Sequence, residues 1–405
     1  MRFKYNSIIF SIFVSLSFAI ACSAADLKPL QDWMQSLVDD NKVVGCMAQI
    51  TQDGNTIYLE AIGKRSPEAE DLLLPTQVVR IYSMTKAITS VAIMQLVEQG
   101  LIGIDDPVSF YIPEFADVKI LINGEFKPPN KEVTVRELIT HTSGIGYSFS
   151  ATGEFLPYYR EDIIDDKTLE NAAKKIAGMP LMSQPGSKFI YGLGIDVLGR
   201  IIEVVSGSDF ESYLRTHIFI PLGMVDTGFT PMRLLQPMPI VTEINGNLVV
   251  DNIHYSKSAY ELNPNYASGG GGLWSTIGDY TRFIMAIEQN GELEGNRILG
   301  SETVNFMIQN QISPGINREN IENPIKFSLG FGIRSAIETS SGLRGEGRLA
   351  WGGAACSYFF IDPSQNVTAV FATQLFPFNS QLNDEFHYIV LESLAQEDVN
   401  AGPQK

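Results

Sequence analysis

Ser83 and Lys86, in the stretch Ile81-Tyr82-Ser83-Met84-Thr85-Lys86, form the only Ser-x-x-Lys of this 405-residue chain. Residues three apart share one face of a helix, so the hydroxyl and the amine can meet. A serine hydroxyl is a poor nucleophile at its free pKa, and a lysine serves as its base only where burial or a nearby charge lowers the lysine pKa. Residues 87–97 are apolar nearly all round, the pattern of a helix inside a domain, which supplies the burial. Such a pair must also pass a proton to the leaving group, so a second titratable partner is expected. Tyr191 is the candidate, after the turn Pro185-Gly186-Ser187 and before a helix. The third piece is Trp351-Gly352-Gly353 on a strand-like run, where paired glycines mark either a bulge or the close approach of a ligand or another backbone. Acyl transfer needs two N–H donors for the developing oxyanion; Ser83 and Ala354 are the candidates.

These residues need elements to hold them. Residues 27–40 read as an amphipathic helix with Leu30, Trp33, Met34 and Leu37 on one stripe. Two alternating runs, 43–51 and 56–62, flank Asp53-Gly54, a strong hairpin signal. The Ser83 helix ends at Gly100, and residues 102–131 look irregular. Thr134 to Glu137 fits a capping box, and so does Ser208 to Glu211, opening a helix to about His217. Further helices are expected at 168–178, 195–205, 276–289, 301–309 and 384–396, and strands at 348–354, 358–362 and 367–374. No firm pattern emerges over 232–268, and Asn263-Pro264-Asn265 looks like a loop. Gly269 to Gly272 reads either as a flexible linker or as close backbone approach. Strands near both ends with helices between them predict an α/β (α+β) fold. In it an antiparallel sheet flanked by helices is built from both chain ends, with an inserted, mostly helical lobe. The corresponding division is a signal peptide at 1–24, α/β segments at 26–100 and 266–405, and the helical lobe at 101–265.

The net charge of −17 argues against nucleic acid and anionic membrane surfaces as partners. Arg2 and Lys4 precede an apolar run at 8–21, a signal peptide by length and too short to span a bilayer comfortably; the protein is expected to be exported, periplasmic or secreted. Ala19-Ile20-Ala21-Cys22 offers a lipobox-like alternative that would anchor the protein through a lipid on Cys22. Cys46 and Cys356 sit in strand-like runs and read as free, buried small hydrophobes.

The pieces, in this order, resemble the serine β-lactamase and penicillin-binding-protein superfamily, and most of all its family VIII carboxylesterases of class C β-lactamase type. The resemblance rests on Ser83-Met84-Thr85-Lys86, His141-Thr142-Ser143-Gly144, Tyr191, Pro221-Leu222-Gly223-Met224, Gly269 to Ser275 and Trp351-Gly352-Gly353. It implies Ser83 as the acylated nucleophile, with Lys86 and Tyr191 as its proton-transfer partners; either can be the base. Two departures bear on substrate. Where penicillin-recognising members have Tyr-x-Asn, this chain has Leu193 in third place; where they have Lys-Thr-Gly, it has Trp351-Gly352. Leu193 and Trp351 thereby replace hydrogen-bonding groups with apolar ones, which suits neutral short-chain esters better than charged amides. Arg344 or Arg348 would be the means of restoring a positive charge.

Other chemistries find less support. There is no Gly-x-Ser-x-Gly, and the four histidines, His141, His217, His254 and His387, lack metal-ligand spacing. No Gly-x-Gly-x-x-Gly follows a strand, so neither cofactor nor metal is expected. The alternatives kept are a β-lactamase or D-Ala-type peptidase of the same fold, and a binding protein that has lost the chemistry.

Overall fold

A computed structural model of the chain describes residues 26–159, 168–231, 237–251, 266–316 and 326–401. The leader, Cys22 and Asn263-Pro264-Asn265 lie outside the described residues. The apolar stripe near the N-terminus forms helix α1 (Lys28–Asp39), burying Leu30, Met34 and Leu37; each contributes roughly 1.5–3 kcal/mol by leaving water. Asp53 and Gly54 both take positive φ, 49° and 76°, as the tight hairpin requires. They join β1 (Gly45–Gln52) to β2 (Asn55–Gly63).

The remaining strands of the main sheet come from the other end of the chain: β3 (Gly332–Arg334), β4 (Arg348–Gly352), β5 (Tyr358–Asp362) and β6 (Val367–Ala372). The order is β3-β4-β5-β6-β1-β2, antiparallel throughout. Period two divides its faces. Cys46, Ala48, Ile50, Phe360, Ala369 and Phe371 pack under α1 and the closing helix α7 (Ser380–Ala401). Met47, Phe359, Ile361, Val370 and Ala372 face the larger core. On the first side Trp33 donates to Glu385 at 2.9 Å and sets its ring 5.3 Å from Phe371, pinning α1 to α7. Cys46 and Cys356 are free and buried, and burial pushes the Cys46 thiol up to about 12.

On the opposite face lie α2 (Thr85–Glu98), buried from Thr85 to Leu96, and α6 (Ile277–Glu288). The middle of the chain supplies α3 (Val135–Ile139), α4 (Leu169–Ala177) and α5 (Gly194–Ser206). The capping box at Thr134 is present, with the Glu137 N–H donating to the Thr134 hydroxyl and the Thr134 N–H to the Glu137 carboxylate. The second box is not: Asp209, rather than Ser208, caps the helix Phe210–Leu214 by accepting from the Ser212 N–H at 2.9 Å. An ionised carboxylate one residue on accepts a stronger, charge-assisted hydrogen bond than a hydroxyl, and Glu211 turns to the Phe229 N–H instead. A π turn, Arg215–Phe219, continues that helix.

Short ladders went unseen in the sequence. Ile120–Ile122 pairs with Glu125–Lys127, and Val241–Ile244 with Asn247–Val250. Val79–Arg80 pairs with Trp274–Ser275 and bolts the strand before Ser83 to the segment after the four glycines.

Candidate active site

Ser83 lies in a 3-10 turn, Tyr82–Met84, that runs directly into α2. Tyr82 has a φ of 45°, an uncommon backbone state for a bulky residue, and such states persist where the surroundings impose them. Here they do. The Ile81 N–H donates to the Leu273 carbonyl, the Tyr280 hydroxyl donates to the Met84 carbonyl at 2.9 Å, and the Thr85 hydroxyl accepts from the Leu273 N–H. Burial raises the Tyr280 phenol well above its ordinary pKa, keeping it a neutral donor behind the turn. Ser83 is half-buried, whereas Lys86, one turn deeper, is 2% exposed.

The Lys86 amine meets three acceptors: the Ser83 hydroxyl at 3.2 Å, the Tyr147 hydroxyl at 3.0 Å and the Gly270 carbonyl at 2.6 Å. Three acceptors match the three N–H bonds of an ammonium. The neutral amine would instead keep Tyr147 and Gly270 and offer its lone pair to Ser83. This is the geometry a general base needs.

Tyr191 is also present, with its ring face 4.7 Å from the Lys86 nitrogen. The phenol to which Lys86 donates is another, Tyr147, whose ring lies 5.4 Å from that of Tyr191. Nothing in the sequence marked Tyr147. It follows His141-Thr142-Ser143-Gly144 by three residues, and only the fold brings that loop over Lys86. His141 braces Tyr191. Its carbonyl accepts from the Ile190 N–H at 2.8 Å, its Nδ1 accepts from the Gly192 N–H at 3.4 Å, and its ring lies 4.6 Å from the tyrosine ring.

Trp351 closes a wall of the site, 5.5 Å from Tyr191 and 5.2 Å from Phe327. Gly352 lies beside it at the end of β4, where a Cβ would meet the Asn383 amide at 3.0 Å. Gly353 is a point of close approach. A Cβ there would fall 2.2 Å from the Ser357 hydroxyl and 2.6 Å from the Ile81 carbonyl, so only glycine lets the strand end press on the segment carrying Ser83. Ala354 follows, half-buried against Tyr82 and Ile240. Among the described residues no backbone acceptor is found for the Ser83 or the Ala354 N–H.

Three residues fall elsewhere. Leu193 is 3% exposed and belongs to the central core; capping α5 turns its side chain inward, so it shapes packing rather than a substrate pocket. Arg348 and Trp351 point to opposite faces of β4, because three residues along a strand reverse the side. Arg348 is 1% exposed and donates to the Ser335 carbonyl, and burial pulls its guanidinium below its usual pKa. Arg344 donates to Ser341 and Gln365.

Gly269 to Gly272 packs tightly instead of linking loosely. The Gly269 carbonyl accepts from the Thr89 hydroxyl at 2.8 Å, and a Cβ on Gly270 would meet Asp196 at 2.4 Å. Asp196, another residue the sequence did not single out, is buried in the first turn of α5.

The chain is similar to known proteins over most of its length. The family model described as Beta-lactamase matches residues 30–393. Lovastatin esterase of Penicillium rubens is 28% identical over 375 residues, covering 84% of this chain and 91% of that enzyme. Esterase EstB of Burkholderia gladioli is 28% identical over 379 residues, covering 88% and 92%. The solved structure of EstCE1, a hydrolase with promiscuous acyltransferase activity, superposes with a TM-score of 0.78 at 24% identity, covering 91% of this chain and 98% of that one. The chain therefore belongs to the Beta-lactamase family and is a serine hydrolase of that fold, with esterases among its relatives.

Proposed function

We propose that the protein is an exported carboxylesterase that cleaves short-chain esters through an acyl-enzyme on Ser83. The observation that carries this reading is the buried Lys86 amine, 3.2 Å from the Ser83 hydroxyl and bonded also to Tyr147 and Gly270. Ser83 Oγ attacks the ester carbonyl while its proton passes to the Lys86 amine. The oxyanion is received by the Ser83 and Ala354 N–H groups. On collapse the carbon–oxygen bond to the alcohol breaks, and the alkoxide takes a proton relayed from Lys86 through a tyrosine hydroxyl, of Tyr147 or Tyr191. Water then attacks the acyl-enzyme by the same proton route, releasing the acid and restoring Ser83.

Support for a neutral ester comes from the aromatic wall of Trp351, Tyr191 and Phe327 and from the engagement of Arg344 and Arg348 with other partners. Leu193 no longer contributes to that argument. Esterase names among the relatives add weight, and the basic start and apolar run of residues 1–24 support export.

The test is a parallel assay of wild type and Ser83→Ala on a short-chain p-nitrophenyl ester and a chromogenic cephalosporin. Ester turnover alone, lost in the variant, is the expected result. Cephalosporin cleavage of comparable efficiency would move the assignment to a β-lactamase, and silence on both to a narrow peptidase or a binding protein. Mass measurement of the mature N-terminus distinguishes cleavage from a lipid on Cys22.

A further inference from the structure

We propose that Asp196 is a positioning residue for the acylation step. Through Gly270, it holds a carbonyl against Lys86 and supplies the counter-charge for the ammonium that forms there. This rests on the esterase reading above. Asp196 is 2% exposed, and a buried carboxylate is costly unless it is hydrogen-bonded and balanced by charge. Its Oδ1 accepts from the Tyr266 hydroxyl at 2.7 Å, the Ser268 hydroxyl at 2.6 Å and the Gly270 N–H at 3.2 Å. All three donors lie on the segment leading into the glycines, and the last belongs to the residue whose carbonyl accepts from Lys86 at 2.6 Å. A single residue thus has its N–H on the carboxylate and its C=O on the amine. The other oxygen, Oδ2, lies on the same side: a Cβ built on Gly270 would meet it at 2.4 Å and the Tyr147 hydroxyl at 3.1 Å. The site at the start of α5 adds the positive end of that helix to the carboxylate's support.

Asp196 touches no reacting atom, so its effect is on placement and field. Lys86 gains a proton as Ser83 is acylated, and a negative charge one residue behind its carbonyl partner favours that state. The other titratable side chains facing the amine, among the described residues, are Tyr147 and Tyr191, with His141 behind the second. Removing the charge should slow acylation and let the reaction persist to lower pH, because the protonated amine loses its partner.

The experiment is single-turnover release of p-nitrophenol from p-nitrophenyl acetate, with enzyme in excess, across pH 5 to 9. Asp196→Asn keeps the size and one acceptor oxygen. The expected result is acylation slowed about ten- to a hundredfold, an acidic limb displaced to lower pH, and an unchanged half-saturating enzyme concentration. Ser268→Ala, which keeps the charge, should lose severalfold in rate with the wild-type pH profile. A rate within twofold of wild type and an unmoved limb in Asp196→Asn would overturn the proposal. Should Asp196→Asn lose its near-ultraviolet dichroism, the Tyr266→Phe, Ser268→Ala double variant decides: a severalfold loss at constant half-saturation supports the proposal and a wild-type rate overturns it. If wild type itself is not acylated, the esterase reading falls and this inference with it. Normal wild-type acylation with indifferent variants removes the inference alone.

Discussion

Replacing Tyr147 by phenylalanine isolates one of the three bonds on Lys86. The hydroxyl lies 3.0 Å from the amine in a partly buried setting. A hydrogen bond to a charged group contributes about 1.5–3 kcal/mol, and 1.36 kcal/mol is a factor of ten, so acylation should fall roughly ten- to 150-fold. The ring remains. Phenylalanine keeps the stack on Phe149, at 5.0 Å and 19°, and the contact with Tyr191, so stability should change by no more than about 1 kcal/mol. Because the lost bond is to Lys86 and not to substrate, kcat should drop with KM nearly constant. The assay is steady-state and single-turnover hydrolysis of p-nitrophenyl acetate, with Tyr191→Phe measured beside it. Phenylalanine at 191 preserves the ring face 4.7 Å from the amine and removes only the hydroxyl. Activity within twofold of wild type in Tyr147→Phe would refute the reasoning, and an inert Tyr191→Phe in the same experiment would assign the proton transfer to Tyr191 alone.

Other substitutions check other links. Gly353→Ala forces a Cβ within 2.6 Å of the Ile81 carbonyl; about 1–3 kcal/mol of stability should be lost by thermal melt, and ester kcat should fall by about a hundredfold or more as the Ala354 N–H shifts. Leu193→Asn puts an amide into the central core. Stability should fall by about 2–4 kcal/mol in urea titration with no gain in cephalosporin turnover; a gain would show that this side chain does reach the pocket. His387, 5% exposed and stacked on Phe360 at 4.6 Å, has its pKa lowered to about 2, first by burial and then by Arg348 and Arg334. Its unfolded form takes up a proton below about pH 6.5 and the folded form does not. Stability is therefore complete above that pH and lost as pH falls, by up to about 1.4 kcal/mol per unit. His387→Asn should flatten the melting-temperature change between pH 7.5 and 5.5, and an equal slope in both proteins would remove the histidine as the cause.

Elements whose signals are local were legible in the chain. The α1 stripe, the Asp53-Gly54 turn, the Thr134 box and Gly207, in the left-handed conformation at the end of α5, all act within a few residues. The strands at 358–362 and 367–372 were legible because both of their faces are buried. Short strands were not. Gly332–Arg334 has three residues and pairs with Arg348–Gly352, and Val241–Ile244 has four and pairs with the adjacent Asn247–Val250 as well as with the distant Leu375–Phe376. Too few side chains alternate there for a period to show.

The sequence by itself brought Ser83 and Lys86 together, since three residues of helix are enough to put both on one face. It also determined the apolar burial that surrounds the amine and, through the order of its motifs, the family. Only the tertiary structure decided what else Lys86 touches. Tyr147 is 61 residues from Lys86 and Gly270 is 184, and the Asp196 carboxylate that holds Gly270 lies on a third segment. Spacing carries no information about groups that meet only when separate elements pack. The same reason removed Leu193 and Arg348 from the site: a side chain's direction is set by the helix end or strand face it stands on, and that face is chosen by the whole core.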